Sequence, residues 1–403
     1  MDYQILIIGS DINAYTMARC SHELLNKKID LIAKSEMKFT SLSNITNIIY
    51  EPLIQEEKTF KKVLKEYGEK NKTKKIILIG TNDFYVKLIS KNAKYLSKWF
   101  LFNYPEYKTT TSLLEKDEFY NKYKDKLDMP KTYIYSCLEQ KLDLKDFLYP
   151  IIVKPGDGVS YYKHKFEGQS KVYKVYNEEE LNSVIKQIEN SGYEEKLIIQ
   201  EFIPGDDSKL FDSMFYVDSK GNPVHATFAQ IALQEHTNTG VGNCTCLING
   251  FNENKDKENV INKLKDFLVS INYNGFAEFD LKYDERDNKY KVFEINPRQA
   301  RCSYYFSLSC ENLIKCLVDD LIYNKTKKYK LSSKKVVLSF VPKVVIYSKV
   351  KNEKLLKELK KVIKKDGYTN TLDYKNDKHL KRKVYLLLRK INYVKKYRKD
   401  NWW

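Results

Sequence analysis

The first eighty residues alternate short apolar runs with amphipathic stretches. Residues 4–8, 29–33, 45–50 and 75–79 are apolar runs of strand length, and the last ends at Gly80-Thr81. Between them, residues 14–25 and 59–67 carry apolar positions at helical spacing. Strands alternating with helices predict a parallel sheet covered on both faces, an α/β arrangement of Rossmann type. The dinucleotide fingerprint G-x-G-x-x-G is missing: the first run ends at Gly9-Ser10-Asp11. Dinucleotide binding is therefore not expected. Ligands in such sheets sit beyond the carboxyl ends of the strands, which makes Ser10 and Asp11 candidate substrate contacts. The plainer role of Asp11, together with Asn13, is to cap the following helix.

Beyond residue 105 the pattern becomes α+β. Residues 109–126 read as one polar helix containing Lys116, and residues 132–135, 151–154, 170–176 and 196–200 as strands, with a helix over 178–189. The run Ile151-Ile152-Val153-Lys154 ends in a lysine and meets Pro155-Gly156-Asp157-Gly158. That puts an ammonium at a sheet rim beside a polar, mobile turn, an arrangement suited to phosphate. Residues 196–200 run into Glu201-Phe202-Ile203-Pro204-Gly205-Asp206-Asp207, an edge strand broken at Pro-Gly like a hinge. Residues 210–217 and 223–230 form a hairpin, an irregular loop covers 234–243, and a helix covers 258–270.

The most informative stretch follows. Residues 276–283 and 290–295 read as two strands around the polar turn Asp284-Glu285-Arg286-Asp287-Asn288. Alternation puts Glu278 and Asp280 on one face, and Glu294 and Asn296 on one face of the partner strand. A hairpin can thus bring Asp280, Glu294 and Asn296 around one point, an oxygen set suited to a hard cation such as Mg²⁺ with substrate phosphates. Arg298 follows at once, a fixed cation with a planar fork for phosphate or carboxylate. The plainer alternative is a surface hairpin with solvated charges. Residues 301–305 and a helix near 311–323 close the region.

Composition changes the picture mainly at one end. The 403 residues are 42% apolar and 31% charged, enough for two to four domains with true cores. No apolar run approaches membrane-spanning length, and the N-terminus lacks the basic lead of a signal peptide. The seven cysteines show no C-x-x-C pair, which favours buried thiols over a zinc site or a disulfide framework. The formal charge is +18, but residues 331–403 alone hold 22 Lys/Arg against 6 Asp/Glu. Within this basic extension a strand over 335–340 and a helix over 353–363 are expected. Leu380, Val384, Leu387, Ile391 and Val394 then recur at helical spacing among lysines and arginines, and Trp402-Trp403 end the chain. Such a helix can dock its apolar stripe on the body, the preferred expectation, or lie on an anionic membrane surface.

Lys116, Lys154, the 200–207 hinge, Asp280, Glu294, Asn296 and Arg298 occur in an order that resembles the ATP-grasp carboxylate–amine ligases, over residues 1–330. Within that superfamily the chain is similar to bacterial D-aspartate ligases, through residues 9–13, 161–173, 198–208, 235–243 and 275–298. The resemblance implies an ATP-grasp fold: a Rossmann-like domain over 1–105, a small subdomain with a flexible phosphate loop over 106–205, a large subdomain with the Mg/ATP site over 206–330, and the basic extension. It implies ATP as cofactor with one or two Mg²⁺, or Mn²⁺ in their place. Lys116 and Lys154 would meet the phosphates, Gln200 and the backbone of Glu201, Phe202 and Ile203 the adenine, and Asp207 the ribose. Asp280, Glu294 and Asn296 would hold metal, and Lys154 and Arg298 would act in catalysis. Arg301 is a further candidate for a substrate with two carboxylates, against an ordinary ion pair. Two departures stand out: the loop after Lys154 is poorer in glycine than in many members, and Asp280 stands where many have Glu, with Glu278 as substitute. The implied reaction joins the β-carboxyl of D-aspartate to a lysine ε-amine of a peptidoglycan precursor, in the cytoplasm or at the inner membrane surface. A homodimer is compatible with this class. Other acids of the same ligase class, or a non-catalytic protein binding nucleotide or nucleic acid through the basic extension, are the alternatives. The intact catalytic set argues against the latter, and no nucleic-acid partner is expected.

Overall fold

The computed structural model describes residues 2–237, 240–251 and 256–398. Strands β1 (Tyr3–Ile8), β2 (Ile29–Ala33), β3 (Thr46–Tyr50), β4 (Lys75–Gly80) and β5 (Phe100–Leu101) form a parallel sheet in the order β3-β2-β1-β4-β5. Leu6, Ile7 and Ile8 are completely buried, as continuous apolar strands must be when helices cover both faces. The strand order reverses between β1 and β4, so their carboxyl ends open a crevice. Gly9 lies there at φ +134°, and a Cβ on it would stand 2.0 Å from Thr81 Oγ1. Only glycine fits this close approach.

A second, antiparallel sheet contains β6 (Thr132–Ser136), β7 (Ile151–Pro155), β8 (Tyr173–Val175) and β9 (Lys196–Glu201), in the order β6-β9-β7-β8. β8 is shorter than the expected 170–176 because Ser170 turns back, its hydroxyl donating to the Val172 carbonyl at 2.9 Å. Before this sheet, the single helix expected over 109–126 is two, Tyr107–Leu114 and Lys116–Tyr123. The break is at Glu115, whose backbone is extended (φ −82°, ψ 107°). Thr111 and Ser112 hydroxyls bond carbonyls three or four residues back in the first helix, a competition that weakens helix continuation. The break places Lys116 at a helix start facing the cleft rather than mid-helix.

The third sheet has eight strands. β10 (Leu210–Val217), β11 (Pro223–Ala226), β12 (Ala229–Gln234), β13 (Cys244–Asn249), β14 (Gly275–Asp284), β15 (Lys289–Asn296), β16 (Lys330–Leu331) and β17 (Val336–Ser339) pair mainly in the path β15-β14-β10-β12-β13-β17. The strand expected over 223–230 divides at Thr227-Phe228, where Thr227 N donates to Met214 O and lets β12 leave β11 for β13. The helices Tyr304–Ser309 and Leu313–Leu321 follow the hairpin. β16 and β17 belong to this sheet, so its hydrogen bonding runs across the expected boundary at residue 331.

The C-terminal helix Leu380–Arg398 docks on the body through a face other than the one expected. Arg382, Tyr393 and Tyr397 are buried, while Leu380, Val384, Leu387 and Ile391 are exposed; of the expected stripe only Val394 packs against the core. The physical reason is the polarity of the seat. Arg382 stacks over Tyr15 at 3.8 Å and pairs with buried Asp377 at 3.0 Å; Asp377 also accepts from Tyr15 and Ser43 hydroxyls. An aliphatic stripe could satisfy none of these groups. Lys399, Trp402 and Trp403 lie outside the described residues.

Candidate active site

Register builds the centre of the site. β14 and β15 pair Asp280 with Glu294 and Glu278 with Asn296, because a bulge between Asp280 and Leu281 shifts the register by one residue and brings the two acidic faces together. β10 adds Asp212 opposite Asp280, so three carboxyl residues form one row across three strands. Asp280 and Glu294 hydrogen-bond to each other. Burial and the neighbouring Glu278 and Glu294 hold Asp280 well above the usual carboxylate range. Burial pushes Glu294 up too, but Lys116, Lys171 and Lys154 outweigh it and hold it at about 2. Behind this pair, burial raises Asp212 and Glu278 strongly, and Asp212 accepts from the Tyr305 hydroxyl at 2.6 Å. Two facing carboxyl groups, one raised by burial and like charge, are a pair whose repulsion a hard cation would relieve, so the donors fit Mg²⁺. Among the described residues no group of three His, Cys, Asp or Glu side chains is placed to hold a metal ion. Asn296 is engaged otherwise: its amide nitrogen donates to Glu278 and its oxygen accepts from Arg298 at 3.1 Å.

Cations from the second sheet face this row. Lys154, at the end of β7, donates to the Tyr120 hydroxyl at 3.3 Å and lies 5.9 Å from the Phe293 ring centre. Burial, only partly offset by Glu294, lowers its ammonium to about 8. Lys116 is lowered by burial and supported by Glu294. Lys171 acts on the same carboxylates while donating to the Val241 carbonyl at 3.2 Å.

The edge expected to meet a nucleotide is β9 and the hinge after it. Gln200 is buried and donates to Thr132 Oγ1 at 2.7 Å, while the Glu201 side chain pairs with Arg286 at 2.7 Å. Phe202 has Lys174 over its ring at 3.9 Å and Lys282 at 5.3 Å, and Ile203 is buried. Asp207 accepts from Gln234 N and Nε2 and lies 2.7 Å from His236 Nε2, so the loop expected to be irregular is pinned at this carboxylate.

The remaining candidates come from three directions. Arg298 is clamped by Asp83, with Nε to Oδ1 at 2.6 Å and Nη2 to Oδ2 at 3.1 Å. Asp11 caps the helix Ile12–Leu25 through Ala14 N at 2.9 Å, and the charge of Arg298 lowers its raised carboxyl. Asn13 does not cap; its amide reaches the Thr81 carbonyl at 3.0 Å, tying β1 to β4. Ser10 turns its hydroxyl to the Ser35 carbonyl. Arg301 pairs with Glu235 at 3.2 Å and meets the Tyr393 hydroxyl of the C-terminal helix. Lys396 also pairs with Glu235, and the Tyr397 hydroxyl donates to Gln234 O at 2.7 Å.

Sequence reasoning missed Asp83, Tyr120, Lys171 and Asp212. Asp83 reads as an ordinary acidic residue in a first helical turn, beside the true cap Asn82. Tyr120 reads as core, and Lys171 as a loop lysine with no marking neighbour. Only Asp212 left a signal, an acid inside an otherwise apolar strand.

A parallel domain followed by two antiparallel sheets, with lysines over a carboxylate hairpin, defines an ATP-grasp carboxylate–amine ligase, an ADP-forming enzyme that makes carbon–nitrogen bonds. Solved structures share the fold. The L-amino acid ligase from Bacillus licheniformis superposes with a TM-score of 0.57 at 16% identity, covering 80% of this chain and 74% of that one. The N5-carboxyaminoimidazole synthetase from Staphylococcus aureus complexed with ADP gives 0.60 at 16% identity, covering 84% and 82%. The biotin carboxylase domain of the Hydrogenobacter thermophilus 2-oxoglutarate carboxylase, complexed with MgADP and bicarbonate, gives 0.62 at 14% identity, covering 82% and 72%. No protein-family model matches the chain. The D-aspartate ligase of Enterococcus faecium (strain Aus0004) is 32% identical over 412 residues, covering 98% of this chain and 96% of that protein. The chain belongs to the D-aspartate ligase family.

Proposed function

We propose that the protein activates the β-carboxyl of D-aspartate with ATP and joins it to the ε-amine of a lysine in a peptidoglycan precursor, in the cytoplasm. The observation that carries this reading is full-length similarity to a D-aspartate ligase combined with the facing Asp280–Glu294 pair under Lys116, Lys154 and Lys171. A carboxylate resists amines because oxide is a poor leaving group. Transfer of the γ-phosphoryl group gives an acyl phosphate, whose leaving group is phosphate. That step asks for in-line positioning and charge neutralisation, not for a protein nucleophile.

Lys154 and Lys116 hold the phosphates, and the β9 edge and Asp207 orient the nucleoside. Asp280 and Glu294 would hold Mg²⁺, with Asn296 as a further donor; the metal would supply charge neutralisation at the phosphate oxygens. Arg298 donates to the oxyanion that develops when the amine attacks; the amine proton leaves with its collapse. Arg301, Ser10 and Asp11 are the candidates, by the resemblance, for contact with the amino acid.

The test is ADP release with D-aspartate, L-aspartate and D-asparagine, each with and without a lysine-containing precursor peptide. Release that needs D-aspartate and rises with peptide is expected; equal release with L-aspartate would assign another acid. Arg298→Ala should slow ligation about 10²-fold, roughly 3 kcal/mol, while leaving ATP affinity nearly intact. A wild-type rate in that variant would remove Arg298 from the chemistry.

A further inference from the structure

The helix Leu380–Arg398 has two faces of opposite character. The inner one is fastened to the body through the polar groups of Arg382, Tyr393 and Tyr397, with Leu386 and Val394 packed partly buried beside them. The outer one carries Leu380, Val384, Leu387, Leu388 and Ile391, which are 44–74% exposed. At about 100° per residue these five fall within an arc of roughly 100°, a continuous stripe rather than scattered apolar residues. Lys381, Lys383, Lys395 and Arg398 stand exposed around it, with no ion pair among the described residues. The helix contains no acidic residue.

We propose that this outer face binds the surface of an anionic lipid bilayer. The helix lies parallel to the membrane plane, its five aliphatic chains enter the boundary between headgroups and acyl chains, and the four cations meet anionic headgroups. Charge complementarity selects this occupant. A second copy of the chain would bring two uniformly cationic helices together. The stripe is also a convex ridge on a single helix, a shape that a deformable lipid surface accepts without a matching groove. Among the described residues no helix is long and apolar enough to cross a membrane, so the contact is peripheral and sensitive to salt.

Flotation of the full chain with vesicles tests this, in the absence of nucleotide and amino acid. One set of vesicles is phosphatidylcholine alone; the other contains one-third phosphatidylglycerol. Two variants accompany the wild type: Leu387→Gln with Ile391→Gln, and Lys381→Gln, Lys383→Gln, Lys395→Gln with Arg398→Gln. All these side chains are exposed, so circular dichroism and ADP release should remain those of the wild type. The wild type should float with the anionic vesicles and not with phosphatidylcholine, and each variant should bind at least about tenfold more weakly. Undiminished binding by the Leu387/Ile391 variant would overturn the proposal in favour of bulk charge attraction. Equal binding to both vesicle types, or none to the anionic ones at low salt, would overturn it too, the latter leaving the stripe to a protein partner.

Discussion

Lys154 shows how one residue's surroundings set its usefulness. It was legible as a candidate phosphate contact because a lysine ends an apolar strand before a turn. Its titration was not legible, because that depends on the Tyr120 and Phe293 rings and on carboxylates distant in sequence. Burial lowers it from 10.5 to about 8, opposed mainly by Glu294. The cation is therefore present below pH 8 and lost above it. ATP affinity of the free enzyme should fall as pH rises through 8, measured by titration calorimetry, and Lys154→Arg should flatten that fall between pH 7 and 9. An unchanged profile in Lys154→Arg would assign the loss to another group. The same contrast governs the acidic row. Alternation puts Glu294 and Asn296 on one face, but Asp280 meets them only through the bulge beside Leu281, and Asp212 becomes their neighbour only through the pairing of β10 with β14.

At the scale of elements, both strands of the hairpin β14–β15 and its polar turn were legible from period two, but its register was not: a bulge between Asp280 and Leu281 moves Asp280 from Phe293 to Glu294. The C-terminal helix was legible as a helix but not in its orientation. Hydrophobic spacing names the apolar stripe, yet what docks is set by the buried Asp377 and the carbonyls around it. Its last turns reach the catalytic body, where the Tyr397 hydroxyl meets both Thr245 and Gln234. Gln234 in turn holds Asp207. Tyr397→Phe should thus cost about 1 kcal/mol of stability by denaturant unfolding. It should also raise KM for ATP severalfold with little change in kcat, because it loosens a support rather than a reacting group. A change in kcat alone would contradict this placement.

Beside an apolar cluster that runs from the first sheet into the third, the molecule carries polar junctions between sheets that no local pattern announces. Asn103 leaves the first domain and donates to Tyr216, the Val217 carbonyl and Asp320, while Asn274 bonds back to it. Gly275 begins β14 so close to this point that a Cβ would stand 2.3 Å from the Asn103 carbonyl oxygen. The order of most strands and helices could be read from the chain; this packing could not, because it joins residues more than a hundred positions apart. Global stability should also carry an acid limb. Burial, with Lys327 next, lowers His225 from 6.5 to about 4, so the unfolded chain takes up this proton first. Its contribution is complete above pH 6.5 and is lost as pH falls toward 4. Urea midpoints should decline over that window, and His225→Phe should make the decline shallower; an identical slope would exclude His225 as its source.

The clamp between Asp83 and Arg298 has a consequence for how tightly the arginine can hold anything else. A guanidinium has five N–H groups. Two point at Asp83, one at Asn296 and one at the Gln299 carbonyl, which leaves a single hand on Nη1. With an aspartate compensating its charge, the arginine offers a visiting anion one firm hydrogen bond and little Coulombic grip. Affinity and speed are thereby set against each other. Asp83→Asn should make inorganic phosphate a stronger inhibitor while turnover drops about tenfold, so that the slower enzyme is the stickier one.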